Sequence, residues 1–224
     1  MKSFAKLGLV IGLAACHWVT PTDNTAIAAT SAAPAPKPTR IAFIGNSLTL
    51  HPESKELGWM NHWGMAASAQ ARDYAHLTGA ALKLPVSVVN LSNLELDPVT
   101  NAGRLAEVAP RIDATTLVVV ELGDNVRAAH LASFTEIYAK LVATAAQGLR
   151  LVCLSTWWRN PSTDAVIRQQ CTSHGGRYVD IGDIHADPAS QDRQRTQFAN
   201  PSVNAHPHDW GMARIAERVA AALR

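Results

Sequence analysis

The chain alternates between short apolar runs rich in β-branched residues and longer stretches with helical spacing. The apolar runs lie at residues 40–44, 86–90, 116–121, 150–155 and 178–181. Ala-rich stretches with apolar positions three and four residues apart predict helices at 65–82, 100–111, 130–147, 163–174 and 209–223. Strands that alternate with helices are typical of a parallel sheet covered on both faces. The pattern therefore predicts an α/β fold.

The first 39 residues differ from the rest of the chain. Two lysines precede an apolar run at 7–15 that is too short to span a bilayer, which predicts an export signal. Residues 13–16 resemble a bacterial lipobox with Cys16 as the lipidated residue, whereas residues 26–28 resemble an ordinary cleavage site. We favour the lipobox, with a leader of residues 1–16, because it directly follows the apolar run. We expect a periplasmic or membrane-anchored lipoprotein of a bacterial envelope, or otherwise a secreted protein.

Residues 17–39 are rich in Ala, Pro and Thr and predict a disordered tether, so one folded domain is expected at 40–224. With 47% hydrophobic residues, the chain can bury the core of such a domain. A net charge of +2 without a basic stripe gives no support for binding nucleic acid or an anionic membrane surface. Cys153 and Cys171 either form a disulfide, which an oxidising compartment permits, or remain two buried thiols. We expect a monomer that reaches a membrane only through a lipid anchor.

Three short segments lie where reactive groups gather in open parallel sheets, beyond the carboxyl ends of strands. Gly-Asn-Ser-Leu at 45–48 follows the first predicted strand, and Gly-Asp-Asn at 123–125 follows the third. His206-Pro207 precedes the last helix. A serine hydroxyl needs a base to take its proton during attack, so Ser47 and His206 are a candidate pair. The structural alternatives are a turn or cap role for Ser47 and a turn role for Asn125.

The order and spacing of these segments resemble the SGNH hydrolases, also called the GDSL esterase/lipase family, from residue 41 to the C-terminus. The resemblance implies a three-layer α/β/α sandwich with a five-stranded parallel, flavodoxin-like sheet. It also implies that Ser47 is the nucleophile and His206 the general base. The side chain of Asn125 and the backbone N–H of Ser47 would form the oxyanion hole. No cofactor is implied.

The chain departs from the family pattern at three positions. Asn46 replaces an aspartate, although its amide can keep a local turn hydrogen bond. The segment at 88–96 has no glycine where the family has one, so the backbone of Ser92, or of Asn93, is the expected further oxyanion donor. Val203 stands where the family commonly has an aspartate that orients the histidine, and we expect a backbone carbonyl in that role. The alternative carboxylates are Asp183, Asp187 and Asp209.

A zinc site is the competing interpretation of the histidines. His206, His208 and Asp209 are close in sequence, and His51 and His62 lie on another loop. However, side chains two residues apart point to the same side only in a strand, and Pro207 lies between the two histidines at the start of a helix. We therefore expect no metal.

Five tryptophans follow the candidate site segments, which predicts an aromatic rim suited to sugar rings, although tryptophans also anchor loops to a core. They are Trp59, Trp63, Trp157, Trp158 and Trp210. The expected function is a serine esterase that removes a short-chain acyl group, such as acetyl, from a carbohydrate or small alcohol. The alternatives are a lipase or thioesterase acting on longer acyl chains and a non-catalytic glycan-binding envelope lipoprotein.

Overall fold

A computed structural model describes residues 36–190 and 198–224, and a five-stranded sheet lies at its centre. All pairings are parallel, in the order β2-β1-β3-β4-β5. This is the flavodoxin-like order, and it confirms the predicted fold class. The strands are β1 (Arg40–Gly45), β2 (Val86–Asn90), β3 (Thr116–Glu121), β4 (Arg150–Leu154) and β5 (Arg177–Val179).

The helices lie on the two faces of the sheet and beyond its carboxyl edge. They are α1 (Tyr74–Leu82), α2 (Asn93–Leu96), α3 (Leu131–Ala145), α4 (Pro161–Ser173), α5 (Gly182–Ala186), α6 (Pro201–Asn204) and α7 (Asp209–Leu223). Short 3-10 segments lie at Gln70–Arg72, Ala102–Glu107, Ala109–Arg111 and Ala128–His130.

Two of the predicted helices are wrong in extent or type. The helix predicted at 65–82 begins only at Tyr74, because Ala66 has a φ of 72°, which a right-handed helix does not admit. Asp73 then caps α1 by accepting a hydrogen bond of 2.8 Å from the N–H of His76. The helix predicted at 100–111 is two 3-10 segments, since Gly103 has low helix propensity and Pro110 has no N–H to donate.

Alternating side chains of each central strand enter different cores. In β3, Leu117 and Val119 pack with α1 and α7, whereas Val118 and Val120 pack with α3 and α4. All four side chains are at most 2% exposed. A strand buried on both faces is a continuous apolar run, which is why these segments are visible in the sequence.

A disulfide between Cys153 and Cys171 joins β4 to α4 within one of these cores. Both residues are fully buried. The structure therefore has the cross-link rather than the two free thiols that the sequence also allowed.

Replacing both of these cysteines by alanine is expected to lower the free energy of unfolding by about 3 kcal/mol. The cross-link spans a separation of 18 residues, and its loss frees the unfolded chain. Urea unfolding of the oxidised wild type, the reduced wild type and the double variant measures the effect. Reduction keeps both side chains in place, so equal stability of oxidised and reduced wild type would contradict the stabilising role.

The predicted leader, with Cys16, and residues 17–35 of the predicted tether lie outside the described residues. Residues 36–39 are exposed and precede β1 directly. In the described part of the chain, no helix has the length and apolar character needed to cross a membrane.

Candidate active site

The end of β1 places Ser47 at the carboxyl edge of the sheet. The chain turns directly after Gly45, and the carbonyl of Asn46 accepts hydrogen bonds from the N–H groups of Thr49 and Leu50 at 3.2 and 3.0 Å. A side chain at Gly45 would collide with Thr49, which explains the glycine. Ser47 is half-buried, so its hydroxyl remains reachable from solvent.

His206 lies between α6 and α7 and contacts Ser47 directly. Its Nε2 is 2.8 Å from the hydroxyl oxygen of Ser47, and its Nδ1 is 2.8 Å from the carbonyl oxygen of Ser202. A carbonyl only accepts, so Nδ1 carries the hydrogen and Nε2 is left to accept the Ser47 hydroxyl proton. The structure thus brings the two predicted residues together in a base-nucleophile arrangement.

Val203, where the resemblance leads one to expect an aspartate, is part of a small core. Val203 is 1% exposed and packs with Trp59, Met65 and Ala66. The three alternative aspartates have other hydrogen-bond partners: Asp183 bonds Arg218, Asp187 bonds the N–H of Ala189, and Asp209 bonds Ser68. The imidazole is therefore oriented by the backbone carbonyl of Ser202, as expected from the presence of Val203 where an aspartate is common.

Burial keeps the imidazole of His206 uncharged. The Trp158 indole and the imidazole pack edge to face, with ring centroids 4.9 Å apart. Burial lowers the pKa of His206 from 6.5 to about 4, and the hydrogen bond from Nδ1 to Ser202 opposes this shift only in part. At neutral pH the side chain is consequently in the form that can accept a proton.

Asn125 is held beside the nucleophile segment by Glu95. The Nδ2 of Asn125 donates a hydrogen bond of 2.6 Å to Oε2 of Glu95, which lies on α2 and is fully buried. Oε1 of Glu95 accepts from Nδ2 of Asn46 at 3.1 Å and from the N–H of Gly123. Gly123 has a φ of 144°, which favours glycine at this turn. One carboxylate therefore connects the loop after β3 with the residue that precedes Ser47.

Two further carboxyl groups surround Asn46. Its backbone N–H donates to Glu121 at 3.3 Å, and its Nδ2 also donates to Asp124 at 3.2 Å. Its Oδ1 accepts from the N–H of Leu48 at 2.9 Å, which confirms the predicted turn hydrogen bond. We call Glu95, Glu121 and Asp124 the buried carboxyl cluster. The Asn46 side chain supplies neutral donors to Glu95 and Asp124, which an ionised aspartate side chain could not do, whereas the donor to Glu121 is the backbone N–H.

Burial is the main cause of the raised pKa of each member of the buried carboxyl cluster. The pKa of Glu95 rises from 4.5 to about 7, with repulsion from Asp124 adding to the effect of burial. Burial and repulsion from Asp124 and Glu95 also raise the pKa of Glu121 well above its usual value. Burial raises the pKa of Asp124 as well, although hydrogen bonds from neighbouring groups oppose the shift.

The backbone N–H of Ser92, a predicted oxyanion donor, already has a partner. Its N–H and hydroxyl donate to Oδ1 of Asn90 at 2.9 and 2.8 Å. Ser92 would have to give up the backbone hydrogen bond to act as predicted, whereas its alternative, Asn93, begins α2. Within residues 36–190 and 198–224, the N–H of Ser47 has no acceptor and remains available.

The predicted tryptophan rim is wrong for two of its five members. Trp59 and Trp157 are at most 1% exposed, and their indole N–H groups donate to backbone carbonyls of His51 and Ala205. These residues anchor loops to the core instead of facing a substrate. The other three tryptophans are half-buried. Trp63 donates its indole N–H to the carbonyl of Ala67, the guanidinium of Arg214 lies over Trp210, and Trp158 packs against His206.

A cavity of about 560 Å³ lies along the edge strand β2 and reaches the predicted oxyanion region. Its polar lining includes His51, Ser92, Asn93, Arg104 and Arg111. Charge repulsion from His51, one of the lining residues, contributes to the lowered pKa of His206, whereas Ser47, Asn125 and His206 do not line this cavity.

The histidines do not form a metal centre in the described part of the chain. In residues 36–190 and 198–224, no group of three or more His, Cys, Asp or Glu side chains is arranged to hold a metal ion. Nε2 of His208 is 3.3 Å from the carbonyl oxygen of Asn204, and His62 is 3.8 Å from Glu53 at the surface.

Solved structures share this fold at low sequence identity. A protein assigned to the lipolytic G-D-S-L family from Desulfitobacterium hafniense DCB-2 has a TM-score of 0.52 at 11% identity, covering 82% of this chain and 99% of that chain. A carbohydrate esterase family 2 enzyme with a carbohydrate binding domain, from Corynascus thermopiles (Myceliophthora fergusii), has a TM-score of 0.52 at 18% identity, covering 85% and 67%. The protein YXIM of Bacillus subtilis has a TM-score of 0.53 at 13% identity, covering 84% and 56%.

These likenesses show the fold, which this chain shares with a lipolytic protein of the G-D-S-L family and with a carbohydrate esterase family 2 enzyme. The chain spans little more than half the length of the Bacillus subtilis protein, with 56% of it covered. No protein-family model matches the chain, and no curated protein matches it.

Sequence reasoning missed the residues that surround the predicted site. Glu95 lies between Leu94 and Leu96, and an acid between two apolar residues is a signal in the sequence that could have indicated a buried carboxylate. Glu121 ends the apolar strand β3 in the same way. Ser202 contributes only its carbonyl oxygen, so its side chain gives no signal at all.

Proposed function

We propose that this protein is a serine esterase that hydrolyses a short-chain acyl ester, such as an acetyl ester, of a carbohydrate or small alcohol. The observation that carries the proposal is the contact of 2.8 Å between the Ser47 hydroxyl and Nε2 of an uncharged, buried His206. The position of this pair beyond the carboxyl ends of β1 and the neighbouring strands is where open parallel sheets carry active sites.

Acylation begins with attack of the Ser47 hydroxyl oxygen on the ester carbonyl carbon. Nε2 of His206 takes the hydroxyl proton as the new C–O bond forms. The imidazolium keeps its Nδ1–H hydrogen bond to the Ser202 carbonyl, which supports the positive charge in place of a carboxylate. The tetrahedral oxyanion accepts hydrogen bonds from the Ser47 N–H and the Asn125 side chain. His206 then returns the proton to the leaving alcohol as the ester C–O bond breaks.

Deacylation repeats these steps with water as the nucleophile. His206 takes a proton from water while the water oxygen attacks the acyl carbon. The second tetrahedral oxyanion uses the same donors, and collapse breaks the bond to the Ser47 oxygen. His206 gives its proton to that oxygen, which restores the resting hydroxyl and releases the carboxylic acid.

We assign the alcohol part of the ester to the cavity along β2, whose lining includes Ser92 of the predicted oxyanion region. Arg104, Arg111, His51 and Asn93 line it, and such groups fit the hydroxyls of a sugar better than a long hydrocarbon chain. Trp158 offers a partly exposed indole beside His206 for contact with a sugar ring. The competing lipase or thioesterase function would need an extended apolar surface next to Ser47.

A fluorophosphonate probe tests the chemistry directly. We expect one adduct on the folded wild type, located on Ser47 by mass spectrometry, and none on Ser47→Ala. A panel of p-nitrophenyl esters from acetate to palmitate, together with an acetylated polysaccharide, is expected to show preference for acetate. Absence of labelling on folded wild type would overturn the esterase and favour the non-catalytic glycan-binding alternative, whereas preference for palmitate would overturn only the short-chain substrate.

We also propose that the enzyme acts outside the cytoplasm as an exported, monomeric protein. The support for export is the predicted signal, with its resemblance to a lipobox at 13–16, together with the disulfide between Cys153 and Cys171, which an oxidising compartment allows to persist.

A further inference from the structure

The carboxylate of Glu95 determines which end of the Asn125 amide faces it. Glu95 is fully buried, and Oε2 accepts a hydrogen bond of 2.6 Å from Nδ2 of Asn125. An ionised carboxylate has only acceptors, so it binds the NH2 end of the amide and repels the oxygen end. Nδ2 carries a second N–H that Glu95 does not use, and Asn125 is half-buried, so this N–H is the one that the proposed esterase function assigns to the oxyanion.

We propose that Glu95 is a positioning residue that fixes the Asn125 carboxamide as an oxyanion-hole donor and thereby controls the rate of the chemical step. The inference rests on the proposed esterase function and adds to it a residue that does not touch the substrate. Glu95 also bonds Asn46, the neighbour of Ser47, at 3.1 Å, so it holds the nucleophile segment and the oxyanion donor in one frame.

A neutral side chain at this position reverses the hydrogen bonding toward Asn125. Oε1 of Glu95 already accepts from Asn46 and from the N–H of Gly123, so an added proton goes to Oε2, which faces Asn125. A donor at Oε2 opposes the N–H of Asn125 and favours rotation of the amide, with its oxygen toward Glu95. Glutamine, with its NH2 group in the place of Oε2, has the same effect as the neutral acid.

The ionisation of Glu95 therefore gives the proposal a pH signature. The charged and titratable groups that face it are Asp124, on the loop after β3, and Glu121, on β3, while its other contacts are neutral amides. Burial and repulsion from Asp124 raise the pKa of Glu95 to about 7. The oxyanion hole is thus ordered above neutral pH and disordered below it, whereas His206, with a pKa lowered to about 4, remains a competent base throughout that interval.

The test compares Glu95→Gln, Asn125→Ala and the double variant by steady-state kinetics on p-nitrophenyl acetate. We expect each single variant to lower kcat by roughly a hundredfold with KM little changed, because an oxyanion donor acts on the transition state. The double variant is expected to be no slower than the worse single variant, since both changes remove one donor. Asp97→Asn, an exposed acid two residues along the chain, is the matched control and is expected to keep wild-type kcat.

The pH dependence of kcat supplies a readout that a merely structural role would not change. In the wild type, kcat is expected to rise through pH 7, and this step should be absent from both Glu95→Gln and Asn125→Ala. The comparison of wild type with Asn125→Ala remains decisive even if Glu95→Gln does not fold. Three outcomes would overturn the positioning role. They are a wild-type kcat in Glu95→Gln, losses of kcat that multiply fully in the double variant, and a rise of kcat through pH 7 that persists in Asn125→Ala. Each of these outcomes requires an active wild type, so they differ from failure of the esterase function, in which the wild type neither reacts with the probe nor hydrolyses esters.

Discussion

Replacing His206 by alanine is expected to lower kcat by about ten-thousandfold, because no other base in the described part of the chain lies within hydrogen-bonding distance of the Ser47 hydroxyl. The loss should be as large as that of Ser47→Ala, and the double variant should be no slower, since the two residues act as one unit. Initial rates of p-nitrophenyl acetate hydrolysis, corrected for the uncatalysed reaction, measure the effect.

His208 provides the matched control for this experiment. His208 lies two residues from His206 and is 5% exposed. Its Nε2 is near the carbonyl oxygen of Asn204, whereas that of His206 contacts the Ser47 hydroxyl. His208→Ala is expected to remain within about tenfold of wild type. Equal losses in the two variants, reversed by added zinc, would instead support the metal site that the spacing of His206, His208 and Asp209 allowed.

The substitution Asn46→Asp, which introduces the aspartate of the family that the sequence resembles, is expected to destabilise the protein by about 3 kcal/mol or more at neutral pH. The side chain at this position is fully buried and donates to both Glu95 and Asp124. A carboxylate there would remove both donors and add a negative charge to the buried carboxyl cluster. Burial would raise the pKa of the introduced carboxyl group in the folded protein. The difference in the free energy of unfolding between wild type and variant should therefore be small in acid and should grow as the pH rises through the pKa of an unfolded aspartate, about 4.

Urea unfolding of Asn46→Asp at pH 4 and pH 7 measures both the size and the sign of this effect. Asn93→Asp is the matched control, because Asn93 is exposed at the start of α2 and an acid there is well tolerated. We expect this control to stay within about 0.5 kcal/mol of wild type. Equal stability of Asn46→Asp and wild type at pH 7 would contradict the proposed need for a neutral side chain at position 46.

The central elements of this fold could be predicted because each leaves a local signal. The runs at β1 and β3 are apolar throughout since both faces are covered, and Ser47 and His206 lie in short segments at their predicted places. The start of α1 could not be predicted, because the left-handed backbone of Ala66 gives no compositional signal.

The surroundings of the site depend on contacts between distant parts of the chain. Glu95 bonds Asn125 across a separation of 30 residues, and His206 bonds the carbonyl of Ser202 irrespective of the side chain there. Trp59 and Trp157 lie next to the site segments in sequence, yet core packing takes them away from solvent. The order of the short segments along the chain therefore predicted the candidate pair Ser47 and His206, which are 159 residues apart, better than it predicted the groups that hold or surround this pair.

Glu95 and His206 give the site two opposing proton linkages. Between pH 6.5 and about 4 the imidazole of His206 is protonated in the unfolded chain but uncharged in the folded protein. A falling pH in this interval therefore favours unfolding. Between pH 4.5 and about 7 the carboxyl group of Glu95 is protonated in the folded protein but ionised in the unfolded chain. A falling pH in this interval therefore favours folding. The two contributions to stability offset one another between pH 4.5 and 6.5. If Glu95 positions Asn125 as proposed, acidification switches off the oxyanion donor while Glu95 and His206 together contribute almost no change in the free energy of unfolding.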